Sequence, residues 1–389
     1  MIDDFFKSKR TWSKYKDFIL GYYLEPYIPK VARLKRPILI VDCFAGCGRF
    51  DDGEPGSPLI IAPIIKKWRD KGVNVRGEFI EALPGNFQRL KDALFDSSDF
   101  ATALFGNFED HLDELAEKAK QNTVFLYVDP YTVKGLVFER MNSVYEQIRK
   151  SSASVELLLN LNVATFMRWA LAAFKRHDQL PEEATNSDAD YQADDPMESI
   201  EMSTLDAIAG GDYWRPIAGD ATRSFLEKIG AFTTEYRKLL ASSFTFAASC
   251  EIKSKYEHQV PKYVLIYGTR HPDGIEIMND AMGKARLDSL GSQFRKGTLF
   301  DLTPNEEMPD HGALAEDLIA IVEEQGSPSR KELRNRAIWR HFGRFQTADI
   351  NAAIGELLKN GVLFSSTGKS RINDGVQLSC VPFDDGPAQ

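Results

Sequence analysis

Ile38-Leu39-Ile40-Val41-Asp42-Cys43-Phe44-Ala45-Gly46-Cys47-Gly48 decides the fold of this 389-residue chain. Four apolar β-formers end in an acid, and a Gly-x-Gly turn follows at once. A buried strand feeding such a turn lets backbone come close to a ligand, because glycine has no Cβ in the way. An acid at the strand tip suits a cationic or hydroxyl-bearing ligand better than a phosphate. The dinucleotide fingerprint wants a third glycine opening a helix, and a P-loop wants Gly-Lys-Ser/Thr. Neither is present. The alternative is an ordinary strand–turn in which Asp42 only caps the turn.

Outward from this stretch, apolar runs alternate with helical patterns. An amphipathic helix is expected over 11–33, strand one over 37–43, and a helix over Leu59–Lys67 after the polar insert Arg49–Pro55. Strand two runs Val75–Ile80 and ends at Glu81. A helix (Asn86–Leu94) precedes strand three, Thr102–Phe105, which ends at Gly106-Asn107. A helix (Leu112–Lys120) precedes strand four, Thr123–Val128, which ends at Asp129-Pro130-Tyr131. A helix (Phe138–Arg149) and strand five (Val155–Asn160) follow. Such alternation implies an α/β protein with a doubly wound, mostly parallel sheet, whose ligands sit at the carboxyl ends of strands. Asp42, Glu81, Asn107 and Asp129 all fall at such ends. Two further strands, Ala247–Ile252 and Tyr263–Gly268, are close enough to pair as an antiparallel edge.

The expected organisation is a first domain over 1–285, with an acidic helical insert at about 163–225, then a polar linker over 286–310. Over 311–389 three helices (Leu314–Glu324, Arg330–Phe342, Thr347–Asn360) and two short strands around a turn with Lys369 and Arg371 look like a winged helix. The third helix of such a module enters the major groove in DNA readers. Here it carries little positive charge, so docking to RNA, to a protein or to the chain's own first domain stays open.

Composition bounds the function. The net charge of −9 argues against a nucleic-acid coat protein. No Lys or Arg occurs from His177 to Trp214 while acids are dense, so 181–201 is expected to be an exposed excursion. Elsewhere basic and aromatic residues mix, as in Lys14 and Lys16 beside Trp12, in Lys66–Arg69, and in Arg330–Arg344. Such groups serve either a nucleic-acid surface or solvated helix faces. Four scattered cysteines make no disulfide framework, which fits a cytoplasmic location, and Cys43 and Cys47 read as small loop residues rather than metal ligands. No apolar run approaches the roughly 20 residues of a membrane span.

Asp42-x-Phe44-Ala45-Gly46-x-Gly48 resembles the first motif of S-adenosylmethionine-dependent methyltransferases. On that resemblance Asp42, Phe44, Ala45, Gly46 and Gly48 would face the methionine part of the cofactor, Glu81 its ribose hydroxyls, and Asn107 its adenine edge. Asp129-Pro130-Tyr131-Thr132 resembles the Asp/Asn-Pro-Pro-Tyr/Phe motif of amino-group methyltransferases with one proline missing. An exocyclic amine is a poor nucleophile, because its lone pair is spread into the ring. An acceptor side chain and a carbonyl binding its two N–H groups favour a more tetrahedral nitrogen, and an aromatic ring stacks on the base. Held geometry contributes about 7–11 kcal/mol to such a transfer.

Several segments together resemble the three-Cys-motif partner family, over about 1–285 with a winged-helix tail. They are Trp12–Lys16 with Tyr23-Leu24, Asp42–Gly48, Asp52–Leu59, Phe79-Ile80-Glu81, Val128–Tyr131, and Tyr263–His271 with Met278. Members are methyltransferase-like proteins associated with a three-cysteine-motif protein. Pro55-Gly56-Ser57-Pro58, with Glu81 and Asp129-Pro130-Tyr131, is also similar to ribosomal-RNA adenine-N6 methyltransferases, which implies a cofactor-binding role for Ser57. The expectation is a methyltransferase acting on an adenine N6 amine in RNA or DNA. Asp129, Pro130 and Tyr131 would form the reacting centre, and Lys14, Lys16, Lys369 and Arg371 would contact nucleic acid. The rival expectation is a catalytically weak or inactive adaptor that works with a three-Cys-motif protein in a nucleic-acid-related or defence system.

Overall fold

The computed structural model describes residues 9, 11–181, 200–253, 258–294 and 310–383. The chain divides into two compact units, Met1–Gly274 and Ile275–Gln389. The first unit is built on strands β1 (Ile38–Asp42), β2 (Val75–Glu81), β3 (Ala101–Phe105), β4 (Thr123–Val128), β5 (Ser154–Leu161), β6 (Phe246–Ile252) and β7 (Tyr263–Thr269). They form one seven-stranded sheet in the order β3-β2-β1-β4-β5-β7-β6. The first five strands pair in parallel, and β7 runs antiparallel between β5 and β6. This is the doubly wound, Rossmann-like arrangement expected, including the antiparallel edge.

The central strands are buried along their whole length because helices cover both faces; in β1 and β4 every residue is buried. The strand order reverses at β1, between β2 and β4, which opens a crevice at the carboxyl ends of β1 and β4. Asp42 registers with Phe79 on one side and Tyr127 on the other, so Asp129 lies just past the end of the neighbouring strand.

The first helix, Thr11–Val31, sets one wall of that crevice. Its buried stripe includes Ile19, Leu20, Tyr23, Leu24, Tyr27 and Ile28. Tyr23 and Tyr27 pack on Phe125 of β4, with ring centroids 5.2 and 5.7 Å away. The Tyr23 hydroxyl also bonds the buried Glu156 of β5 and Tyr267 of β7, and Thr269 donates to Glu156 at 3.0 Å. Lys16 lies seven residues before Tyr23, two turns along the same face. The pinned tyrosine therefore fixes where Lys16 projects.

Three boundaries differ from expectation. Residues 286–294, expected as linker, continue the helix Pro272–Phe294, whose buried Ile275, Met278, Met282 and Ala285 recur at helical spacing. The helix expected over Phe138–Arg149 is split into a 3₁₀ turn, Phe138–Met141, and a helix, Asn142–Lys150. The first helix gives way to a 3₁₀ turn at Ala32–Leu34. Most of the acidic stretch 181–201 lies outside the described residues.

The second unit contains helices His311–Gln325, Arg330–Arg340 and Thr347–Lys359, followed by a two-stranded antiparallel ribbon, β8 (Phe364–Ser365) with β9 (Leu378–Ser379). Ser329 caps the middle helix in a reciprocal bond with Glu332. Within this unit Asn279 is fully buried and donates to the Phe345 carbonyl at 2.8 Å.

Candidate functional site

Asp42 ends β1 fully buried, with the glycine turn folded over it. Its Oδ1 accepts from the Phe44 N–H at 3.2 Å and its Oδ2 from the Ser57 hydroxyl at 2.6 Å. Burial pushes its carboxyl up to about 7; the two hydrogen bonds oppose the rise, and the charges of Asp129 and Glu81 add to it. Gly46 and Gly48 have φ of 67° and 78°, a region open to glycine at little cost. A Cβ on Gly48 would also lie 3.0 Å from the Ala93 side chain.

The polar insert is a short arm rather than a loose loop. Arg49 and Pro55 bridge its base, and the Gly56 N–H donates to the Gly48 carbonyl at 2.8 Å. That closure brings Ser57, the first residue of the helix Ser57–Arg69, back onto Asp42. The distance along the chain between the two motifs is thereby spanned by one hydrogen bond.

Glu81 ends β2 and is buried. Its Oε1 accepts from the Leu83 N–H at 2.8 Å, and it also bonds the Gly46 N–H and the Tyr131 hydroxyl. Burial raises its carboxyl above the usual range, with these bonds acting against the rise. The Asn86 side chain also leans on Glu81 and helps hold its carboxyl down.

Asp129 receives donors from three elements. Lys16 from the first helix bridges both oxygens, at 2.8 Å to Oδ1 and 2.5 Å to Oδ2. Tyr127 of β4 donates to Oδ2 at 2.9 Å and Asn160 of β5 to Oδ1 at 2.6 Å. The Lys16 ammonium also sits 5.1 Å from the Tyr263 ring centroid. Beside them, Asp17 pairs with Lys9 and is pushed up to about 6 by burial, which outweighs the attraction of Lys9 and Lys16.

A cleft lies over these groups. Of the residues expected from sequence, Phe44, Ala45, Gly48, Ser57, Asp129, Pro130, Tyr131 and Lys16 line it. Asp42 and Glu81 touch it through one hydroxyl each, Ser57 for the first and Tyr131 for the second. Asn107 is not in its wall; its side chain takes part in a capping box with Asp110 at the 3₁₀ turn Phe108–His111. Lys16, expected among surface cations, is instead 7% exposed and faces Asp129. It lies on the apolar stripe of its helix, so its charge is held inward. Lys14 is at the surface, paired with Glu54 at 3.0 Å.

Tyr127, Asn160, Asp17 and Tyr263 escaped the sequence reading. Tyr127 precedes Asp129 by two, the strand period that puts both side chains on one face. Asn160 is a polar residue near the carboxyl end of an apolar strand, the same signal that marked Asp42 and Glu81. Asp17 had no such signal, and Tyr263 stood only as the first residue of a segment that carries the resemblance.

The basic helix of the second unit is largely neutralised within that unit. Arg334 makes a two-pronged pair with Asp374 at 2.7 and 3.0 Å. Arg340 pairs with Asp317 and Glu324, and Arg330 donates to the Ile372 carbonyl and to Asn351. Lys369 and Arg371 are exposed in the turn between β8 and β9.

No protein-family model and no curated protein sequence matches the chain. Solved structures do. A protein from Legionella pneumophila aligns at 10% identity and TM-score 0.37, over 74% of this chain and 94% of its own. A geranyl diphosphate methyltransferase in complex with GPP and sinefungin aligns at 12% identity and TM-score 0.27, over 65% and 78%. The geranyl diphosphate C-methyltransferase of Streptomyces coelicolor A3(2), solved with Mg2+, geranyl diphosphate and S-adenosyl-L-homocysteine, aligns at 10% identity and TM-score 0.25, over 64% and 78%. Likeness at this level carries no argument about activity. Among the described residues no helix is long and apolar enough to cross a membrane.

Proposed function

We propose that the cleft is the active site of an S-adenosylmethionine-dependent methyltransferase acting on nucleic acid, with an adenine N6 amine of RNA or DNA as acceptor. One observation carries the reading. At the crevice where strand order reverses, a glycine turn with a buried acid beneath it faces an Asp-Pro-Tyr segment across a single cleft.

The residues present fit the cofactor. The positive-φ glycines let backbone approach a ligand, and the carboxylates of Asp42 and Glu81, standing behind the Ser57 and Tyr131 hydroxyls, bias the cleft toward an ammonium and hydroxyl groups. When bound, S-adenosylmethionine supplies an activated methyl group on a sulfonium centre. Asp129 accepts an N–H of the acceptor and holds its proton, Pro130 stiffens the turn that sets this carboxylate, and the Tyr131 ring stacks on the base. Lys14, Lys369 and Arg371 contribute phosphate contacts that position without reading sequence.

A second reading has an observation of its own. Lys16, Tyr127 and Asn160 already occupy Asp129, which is the state expected of an inactive adaptor, one that works beside a three-Cys-motif protein. Calorimetry with S-adenosylmethionine, followed by transfer of a labelled methyl group to RNA and DNA, separates the two. Binding with transfer supports the enzyme; binding without transfer to any nucleic acid supports the adaptor. Absence of binding removes both.

A further inference from the structure

An ionised carboxylate has about four lone-pair positions. Those of Asp129 are all taken by the protein. Oδ1 accepts from Lys16 and Asn160, and Oδ2 accepts from Lys16 and Tyr127. An incoming amine therefore finds no acceptor capacity on Asp129 unless one of these donors leaves.

The three donors are not equally free to leave. Tyr127 and Asn160 project from adjacent strands in the middle of the sheet, and each is 2% exposed. Lys16 reaches Asp129 on a flexible four-carbon stem and lines the cleft. Its ammonium has other stabilising neighbours, the Tyr263 ring and the charge of Asp17. A further group waits unmatched: Asn160 Oδ1 is buried with no hydrogen-bond partner among the described residues, while the Nδ2 of the same amide is bound to Asp129.

We propose that Lys16 is an exchangeable internal donor that determines acceptor specificity: its ammonium holds Asp129 in place until an NH2 group of the acceptor displaces it. A ligand amine replaces the lost contact and can direct its second N–H to Asn160 Oδ1. A ligand hydroxyl has one hydrogen to give and leaves one of these acceptors unmatched. A buried acceptor left without its donor is costly, so the site favours amines over hydroxyls. This inference rests on the reading of Asp129 as the acceptor-binding group.

The test removes the internal donor and offers a small one in its place. In full-length Lys16→Met the thermal midpoint should drop, and methylammonium chloride should raise it in a concentration-dependent way. Tetramethylammonium chloride, a cation without an N–H, and sodium chloride should not. Wild type should respond less, because Lys16 competes, and Lys16→Met combined with Asp129→Asn should lose the response. Equal effects of the three salts, or no methylammonium effect, overturn the proposal. If Lys16→Met does not fold, Lys16→Gln carries the same titration.

A second arm uses single-stranded oligonucleotides containing either adenine or purine, which lacks the exocyclic amine. Lys16→Met should prefer the adenine oligonucleotide by roughly tenfold or more, the worth of a hydrogen bond to a charged group. Methylammonium rescue without that preference keeps the exchange and removes the nucleic-acid amine. Failure of the rescue removes the exchange whatever the oligonucleotides do.

Discussion

Ser57, the first residue of its helix, donates its hydroxyl to Asp42 at the tip of β1 at 2.6 Å. The pair joins the glycine turn to the arm that follows it, with Asp42 fully buried and Ser57 at the wall of the cleft. Burial still wins over this bond and holds the Asp42 carboxyl at about 7, above its ordinary value of 3.8.

The sign of the pH effect follows. Between those two values the folded protein binds a proton at Asp42 that the unfolded chain does not. Asp42 therefore favours the fold most at the acid end, and this contribution is lost as pH rises toward about 7. Asp17 adds a similar slope that ends near 6. Asp42→Asn should flatten the dependence of thermal midpoint on pH above the Asp17 window. A ligand cation beside Asp42 favours its ionised form, so S-adenosylmethionine affinity should rise with pH through neutrality, with proton release visible by calorimetry in buffers of different ionisation enthalpy.

Glu81→Ala should weaken S-adenosylmethionine binding by about 1–3 kcal/mol, the cost of leaving buried donors unmatched. Tyr131→Phe should behave in the opposite sense. It removes a donor from Glu81 and so leaves the carboxylate more available to a ribose hydroxyl. Equal cofactor affinity in wild type and Glu81→Ala, with the fold intact, would take Glu81 out of the pocket.

Asp129→Ala should abolish methyl transfer while cofactor binding persists. It should also destabilise the protein by about 1–3 kcal/mol, because Lys16, Tyr127 and Asn160 would lose their acceptor while Asp17 and the Tyr263 ring stay beside the ammonium. Asp129→Asn keeps two of the contacts and should cost less. Chemical denaturation and a transfer assay on the same preparations check both parts; near-normal transfer in Asp129→Ala would reduce Asp129 to a turn residue.

Lys369→Ala together with Arg371→Ala should weaken nucleic-acid binding about equally across sequences and flatten its salt dependence. Arg334→Ala should instead act on stability, since that guanidinium is committed to Asp374. Filter binding over a salt series distinguishes them. An unchanged slope in the double variant would move the phosphate contacts elsewhere.

The parallel strands and their tips were legible where an apolar run meets a polar residue, as in β1 and β4, and the topology follows from alternation with helices. The helix Pro272–Phe294 was less legible: its polar residues from 286 onward read as linker, whereas they continue a helix anchored by the packing of Met278 and Met282. Asp42, Ser57, Glu81 and Asp129 were legible from motifs. Lys16 was seen as a cation but not as a buried one. A charge on an apolar stripe becomes interpretable only when its partner, 113 residues away, is known. The ion pairs of Arg334 and Arg340 were not legible for the same reason, their carboxylate partners being distant in sequence.

The antiparallel insertion of β7 also has a consequence for the nascent chain. β5 carries Leu157, Leu158 and Leu159, all buried in the finished sheet, and its outer edge pairs only with β7, more than a hundred residues later. Closing so long a loop is slow, and until it closes an apolar strand presents unpaired N–H and C=O groups to any other chain. A ribosome that stalls before Tyr263 therefore releases a sheet with one adhesive edge. Truncations ending near Ile252 should aggregate, although they contain every residue of the glycine turn and of the Asp-Pro-Tyr segment.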